Sequence, residues 1–489
     1  MFDAPHSHVL SAIASHAVIA PDKVALVAGA DSVSYRGLVS NIEGASAFLQ
    51  SLGLKRGDRI MLSAQKEMEF VYLYLAAHLL GIVNVVVDAA SPQERLDYIL
   101  DAVKPQVIFG NCSTDKSLKV ISFSDVTLVN SPSGELSLPD ISSSDIADVM
   151  FTTGTTGAPK GVCLSHANIA GSAMNTNGFI GTESSDVEAL ALPLSHSFGL
   201  GRLRCVLIAG ATIVLVGNFA NLKAFFAVLA NNHVTGFGMV PAVWQYIKRI
   251  SGKRIAQFAD QIKYIEIGSA ALPVEDKQLL MELFPKTRLC MHYGLTEASR
   301  ALFTEFHSNS DDLESIGRPV SGLVEVCVMD EDGNTVADGV DGEICVRGNM
   351  VIKSYLLPGD NETGFFGDWF RTGDWGHRGA DGKFYLTGRK KELINVGGEK
   401  VSPVAIEEAI KSLGVEDCAC VAIPDPNGVL GEVPKAFLLK NAACQMTIDD
   451  IKGRLAQILP AHEIPVQWEW IDRIPRTSSG KIQRLKLKK

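Results

Sequence analysis

The chain has no surplus of basic residues: 45 Lys and Arg stand against 55 Asp and Glu, a net charge of −10. Without a cationic excess to neutralise a phosphate backbone, the charge argues against nucleic acid as the main partner. The stretch from Arg484 to Lys489 is the local exception and reads as a solvated tail. A long uninterrupted apolar run is also missing. The most apolar stretch, residues 71–87, is broken by His78, Gly81 and Asn84, so it predicts a buried helix running into a buried strand and no transmembrane segment. The opening residues lack the basic start and apolar block of a secretory signal, Asp3 and several histidines preceding the first lysine, Lys23; a cytoplasmic location is expected. Nine cysteines, an odd number scattered along the chain, argue for reduced thiols rather than a disulfide framework. Cys418 and Cys420, the close pair, alternate on one face of a predicted strand and read as small core side chains rather than metal ligands.

What is present is an ordinary globular composition, 46% apolar and 20% charged, in 489 residues, too many for one compact core. Between about 20 and 300, helical patterns alternate with short apolar strands at Arg59 to Leu62, Val83 to Val87, Gln106 to Phe109, Glu188 to Leu192, Thr212 to Val216 and Tyr264 to Ile267. That alternation predicts an α/β fold with parallel sheets covered by helices. From about 315 to 386 the texture changes to short runs separated by Asp332-Gly333-Asn334, Asp341-Gly342 and Asp381-Gly382, which suits an antiparallel or barrel-like subdomain. A third texture follows, with strands from Cys418 to Ile423 and Lys435 to Leu439 and a helix near Thr447 to Leu459. The expected division is a large N-terminal domain, 1–390, and a small α+β C-terminal domain, 391–489.

The most informative local feature is Phe151-Thr-Thr-Gly-Thr-Thr-Gly-Ala-Pro-Lys-Gly161, a loop leaving a short apolar strand and followed by a cap-like Ser165. Gly154 and Gly157 let backbone N–H groups turn inward, Thr152, Thr153, Thr155 and Thr156 add hydroxyl donors, and Lys160 adds a point charge. Such a loop is suited to the phosphates of a nucleoside triphosphate. It is not the Walker loop, which needs glycine directly before the lysine and a hydroxyl directly after it; here Pro159 and Gly161 flank Lys160.

Four further motifs follow in order: Tyr293-Gly294-Leu295-Thr296-Glu297, Trp369 to Asp374, Gly388-Arg389-Lys390-Lys391-Glu392 with Gly397-Gly398, and Pro475 to Lys481. Tyr293 before a glycine turn can stack on a purine, Thr296 can donate to a phosphate, and Glu297 offers a hard oxygen ligand to Mg²⁺. Together with the Thr/Gly loop, and over nearly the whole chain, these motifs resemble the adenylate-forming enzymes: acyl-CoA synthetases, peptide-synthetase adenylation domains and luciferases. The resemblance implies that Asp374 and Arg389 bind the ATP ribose, that Lys481 reaches both carboxylate and α-phosphate, that Lys391 is the hinge residue, and that Gly397 and Gly398 line the passage for pantetheine. The reaction it implies has two halves. A carboxylic acid attacks the α-phosphorus of MgATP, releasing pyrophosphate and leaving an acyl-adenylate; a thiol then takes the acyl group and AMP departs.

On the substrate side, peptide-synthetase domains carry an aspartate that holds an amino group, whereas the comparable segment here is Leu192 to Leu200, with His196 and no acid. A plain carboxylic acid is therefore expected, with His196 similar to the histidine acyl- and aryl-CoA synthetases keep at the carboxylate pocket. Gly268 to Ala271, Phe198, Met239, Val240, Trp244 and Ala301 would line that pocket, and their apolar or small character suits a fatty or aromatic acyl group. Arg202 and Arg204 depart from the apolar pattern; two residues apart on a helix they do not share a face, so at most one lines the pocket, and surface ion pairs are the simpler expectation. The leading expectation is an acyl-CoA synthetase using ATP, Mg²⁺ and CoA. Its rival loads the acyl group onto the phosphopantetheine of an acyl carrier protein. A silent binding protein would be free to lose Lys481, Glu297 or Asp374, and nothing in the residues points to oxygen chemistry.

Overall fold

The computed structural model describes residues 8–112, 117–128, 136, 138, 141–152, 159–362, 364–440, 446–476 and 482–488. The chain separates into two compact units, one of residues 1–154, 158–325 and 346–370, the other of residues 155–157, 326–345 and 371–489. The fold is mixed α/β, as the alternating pattern predicts.

The larger unit contains two sheets. The first is eight-stranded, in the order Leu302–Glu305, Arg288–Tyr293, Tyr264–Ile267, Gly236–Met239, Val187–Leu190, Thr212–Leu215, Val24–Ala28, Asp31–Ser34. Its inner strands run parallel and both outer pairs are antiparallel. The second is six-stranded, in the order Val120–Ile121, Val107–Phe109, Arg59–Ala64, Val83–Asp88, Ile146–Phe151, Gly161–Ser165, parallel except for its last pair. Helices lie between most of the successive parallel strands, as crossover connections require. Residues 71–87 form the buried helix Met68–Leu80, ended by Gly81 in the left-handed region, and then the buried strand Val83–Asp88, so the interrupting His78 and Asn84 are core residues. Among the described residues no helix is long and apolar enough to cross a membrane.

Ser165 caps the helix His166–Ile180 as its position suggests. Its hydroxyl accepts from the Asn168 N–H at 3.1 Å while the Asn168 side chain accepts from the Ser165 N–H at 2.9 Å, satisfying two otherwise orphaned donors. That helix is buried on most of its faces, so the stretch is a core helix rather than an amphipathic surface one.

In the smaller unit, Cys418–Pro424 pairs antiparallel with Glu432–Leu439, which pairs parallel with Gln467–Ile471. The helices Pro403–Ser412 and Ile448–Leu455 accompany this sheet; Ile406, Ile410, Ile451 and Leu455 pack with Cys418 and Cys420, both fully buried in the core. Thr447 supplies a capping box with Asp450. The Arg484 end of the basic tail departs from the solvated expectation: its side chain is 9% exposed and bonds the carboxylates of Glu392 and Glu407, because the buried Glu407 carboxylate needs a counter-charge.

Candidate active site

The loop base is closed by a hydrogen bond from Thr152 N–H to the Lys160 carbonyl at 3.0 Å, across the antiparallel strands Ile146–Phe151 and Gly161–Ser165. Thr153, Gly154, Thr155, Thr156 and Gly157 lie outside the described residues. Lys160, 40% exposed, has its ammonium 3.5 Å from Asp360 Oδ1 and 4.9 Å from the centre of the Tyr355 ring.

Tyr293 ends the strand Arg288–Tyr293, and the chain then turns through Gly294, Leu295, Thr296 and Glu297, the turn closed by Leu295 N–H donating to the Ala298 carbonyl at 3.1 Å. Glu297 is 7% exposed. One carboxylate oxygen accepts the Tyr355 hydroxyl at 2.9 Å, and its carbonyl accepts the Ile352 N–H at 3.0 Å. A single buried, oriented carboxylate fits Mg²⁺, which keeps several waters and takes one or two carboxylates together with substrate phosphates. Thr296 borders a cleft with Ser197, Gly201, Arg204, Asn168 and Ser299.

His196 is half-buried and is the N-terminal cap of the helix Ser197–Ala209, its carbonyl accepting the Leu200 N–H at 3.0 Å. Phe198 packs edge-on against the His292 ring with centroids 4.7 Å apart. Gly268 follows the strand Tyr264–Ile267, and a Cβ there would run into the His292 ring, so close packing alone demands glycine. The next residue, Ser269, has a φ of 76°, a left-handed backbone for a residue with a side chain.

Arg202 and Arg204 depart from the surface ion pairs expected. Both are buried, at 0% and 4% exposure, and they diverge as residues two apart on a helix must. Arg202 ion-pairs with Glu188 and Glu266, whereas Arg204 borders the cleft beside Thr296, its Nη1 3.7 Å from Asp148. Met239, Trp244 and Ala301 are also fully buried, and the Trp244 indole N–H donates to Asp276 at 2.9 Å. Trp244 is thus held in the core by a polar tie the sequence pattern did not reveal.

Sequence reasoning also missed Glu266, His292, Arg300 and Tyr355. Arg300 Nε donates to Glu266 Oε1 at 2.7 Å and its Nη2 to the Phe198 carbonyl at 3.1 Å. Burial pushes the Glu266 carboxyl pKa up, but the charges of Arg300, Arg202 and His292 more than reverse this and hold it well below the usual carboxylate range. Burial lowers the His292 pKa, against the opposing pull of Glu266. A charged residue every few positions along separate strands carries no periodic signal, so only the fold could bring these groups together.

In the smaller unit, Asp374 is 3% exposed and lies opposite Arg389 in the antiparallel pair Trp369–Arg378 and Phe384–Arg389. Arg389 Nε lies 2.8 Å from Asp374 Oδ1, and its Nη1 donates to the Thr372 carbonyl at 2.8 Å. The Thr372 hydroxyl accepts from the Asp374 N–H at 3.0 Å and donates to the Ile344 carbonyl at 2.6 Å, fixing the motif's backbone. Lys391 is exposed. Gly397 and Gly398, with φ of 61° and 102°, form the exposed turn of the hairpin Ile394–Val396 and Glu399–Val401, a conformation that favours glycine. Lys481 lies outside the described residues.

The larger unit thus carries a buried carboxylate on a glycine turn, and the smaller unit a buried aspartate paired with an arginine. The profile of the AMP-binding enzymes matches residues 13–356, and that of the AMP-binding enzyme C-terminal domain matches residues 405–481. The chain belongs to the AMP-binding enzyme family. It is 30% identical over 491 residues to an oxalate–CoA ligase of Arabidopsis thaliana, covering 95% of each chain. It is 28% identical over 499 residues to a sulfoacetate–CoA ligase of Cupriavidus necator, covering 97% of this chain and 96% of the other. An o-succinylbenzoate CoA synthetase of Bacillus subtilis, solved in complex with its acyl-adenylate intermediate, aligns with a TM-score of 0.88 at 25% identity over 98% of both chains. The enzyme class is that of the ATP-dependent, AMP-forming acid–thiol ligases.

Proposed function

We propose that the protein is an acyl-CoA synthetase: it joins a carboxylic acid to the α-phosphate of ATP, releases pyrophosphate, and transfers the acyl group of the adenylate to CoA, releasing AMP. The observation that carries this is the Tyr293–Glu297 turn, which brings an aromatic ring, a hydroxyl and a buried, hydrogen-bonded carboxylate together within five residues. In this reading Thr152, Thr153, Gly154, Thr155, Thr156, Gly157 and Lys160 cradle the phosphates. Tyr293, Gly294 and Gly268 flank the adenine, Asp374 and Arg389 hold the ribose, and Glu297 holds Mg²⁺, which neutralises the triphosphate.

His196 would orient the acid's carboxylate, with Thr296 donating to the α-phosphate. Lys481 would supply positive charge as the pentacoordinate phosphorus forms, acting most strongly in the transition state. The division at 390/391, with Lys391 as hinge, would let the C-terminal domain present Lys481 for the first half-reaction and Gly397-Gly398 for the second. A cytoplasmic location is in keeping with an odd number of cysteines scattered along the chain.

The acid is proposed to be a fatty or aromatic one of modest size, since Met239, Trp244 and Ala301 are committed to the core. Arg204 beside Thr296, and the oxalate and sulfoacetate ligases among the relatives, favour a second reading in which the acid carries another polar or anionic group. Loading of a carrier-protein pantetheine remains the rival to CoA, because both acceptors present the same thiol.

A pyrophosphate-release screen over aliphatic, aromatic and dicarboxylic acids, each with CoA, with a phosphopantetheinylated carrier protein or with neither, tests the reading. Acid-dependent release followed by AMP formation on adding CoA is expected. Release that never depends on an acid would overturn it.

A further inference from the structure

Glu266, on the strand Tyr264–Ile267 of the larger unit, has no exposed surface, and three cationic or potentially cationic side chains converge on it. Arg300 Nε bonds its Oε1 at 2.7 Å, Arg202 Nη1 lies 3.1 Å from its Oε2, and His292 Nδ1 lies 2.7 Å from its Oε1. The last two contacts are close in distance but out of line for hydrogen bonds, so they act as charge and packing contacts. A second buried carboxylate, Glu188, accepts from Arg202 Nε at 2.8 Å and from the Tyr264 hydroxyl at 2.7 Å. Two carboxylates therefore offset two guanidiniums.

The places these partners come from give the cluster its meaning. Glu266 lies two residues before Gly268. His292 immediately precedes Tyr293. Arg300 follows Glu297 by three residues, and Arg202 sits on the helix capped by His196. The segments that carry His196, Gly268, Tyr293 and the Thr296–Glu297 turn are thus tied to one carboxylate. Arg300 adds a direct link between two of them by donating to the Phe198 carbonyl and lying over the Phe198 ring, 5.1 Å from its centre.

Buried ion pairs contribute little net stability compared with apolar residues of the same shape, but they specify geometry, since any other arrangement strands a charge away from water. Two side-chain-bearing residues with left-handed backbones, Ser269 at φ 76° and Arg300 at φ 60°, lie beside the cluster. Conformations of that kind persist only where the surroundings over-determine them.

We propose that Glu266 is a positioning residue for acyl-adenylate formation, setting the relative placement of His196, Gly268, Tyr293 and the Thr296–Glu297 turn through Arg202, His292 and Arg300. This role rests on the ligase reading above. A shift of about 1 Å among these segments is enough to cost on the order of 10²-fold in rate, whereas nucleotide binding also draws on contacts elsewhere and should suffer far less.

The test is Glu266→Gln in the full-length chain. Three quantities are read: acid-dependent ATP–pyrophosphate exchange, MgATP affinity by calorimetry, and the folded fraction by near-ultraviolet circular dichroism. The expected result is kcat for exchange lowered about 10²-fold per folded molecule, with MgATP affinity changed less than about threefold. Arg300→Lys, which keeps the charge but loses the planar fork, is the second variant should the first not fold, and is expected to show the same split at about 10-fold. Equal kcat per folded molecule in whichever variant folds, or a parallel loss of MgATP affinity, overturns the role. A wild-type protein that exchanges pyrophosphate with no acid would instead overturn the ligase reading, and the role of Glu266 with it.

Discussion

Tyr355 donates its hydroxyl to Glu297 Oε1 at 2.9 Å, joining a side chain far along the chain to the one carboxylate of the Tyr293–Glu297 turn. The bond fixes the carboxylate's orientation in a site where only 7% of the residue is exposed. A carboxylate held in this way meets a hard cation without first having to give up rotational freedom.

Removing that support should weaken metal use without removing the ligand. Tyr355→Phe is expected to raise the Mg²⁺ concentration for half-maximal pyrophosphate exchange by about 10-fold, the lower end of what outer-sphere partners cost. Glu297→Gln should raise it further. A magnesium titration of each variant decides; unchanged half-saturation in Tyr355→Phe would show that the hydroxyl has no part in metal binding.

The Asp374–Arg389 pair carries a second expectation. Asp374→Asn keeps the shape but loses the charge that holds Arg389 at 2.8 Å and would accept ribose hydroxyls. The ATP KM should rise about 10- to 100-fold, the range for losing hydrogen bonds to a charged group. The wild type should discriminate between ATP and 2′-deoxy-ATP and the variant should not. Equal discrimination by both would move ribose recognition elsewhere.

Lys481→Ala is expected to lower pyrophosphate exchange by roughly 10²–10³, the scale of losing one preorganised donor to a developing charge. Thioester formation from a supplied acyl-adenylate and CoA should stay near the wild-type rate. Loss of both half-reactions in equal measure would make Lys481 structural rather than catalytic.

The pH dependence of stability follows from His166. Burial, reinforced by the neighbouring His78 and His8, lowers its pKa from 6.5 to about 3. Between those values the unfolded chain binds a proton that the folded chain does not, so the folded state gains stability as pH rises. The contribution is fully present above pH 6.5 and is lost progressively as pH falls toward the folded value. Thermal unfolding should therefore shift to lower temperature between pH 7 and pH 4, and His166→Gln should flatten that slope. An equally steep slope in the variant would assign the acid sensitivity to other groups.

Much of this architecture was readable in advance, for identifiable reasons. The six strands expected between residues 59 and 267 occur because continuous apolar runs bounded by helical patterns have few ways to bury both faces other than a parallel sheet. Ser165 and Thr447 announce their helices because a hydroxyl followed three residues later by a reciprocating polar side chain is a local signal. The Arg202 and Arg204 expectation failed for the opposite reason. Charge on a helix normally means solvent, and the carboxylates that make burial possible, Glu188, Glu266 and Asp148, lie on other strands of the sheets.

By itself the sequence determined the α/β class, the order of the nucleotide-handling motifs and the residue types available to them, because these depend on short-range pattern and intrinsic side-chain chemistry. The tertiary structure alone decided that Tyr355 would support Glu297, that Trp244 and Arg202 would belong to the core, and that one buried carboxylate would gather Arg202, His292 and Arg300. Such pairings are set by the packing of sheets and helices over long sequence separations, and by the requirement that a buried charge find its counter-charge wherever the fold brings one near.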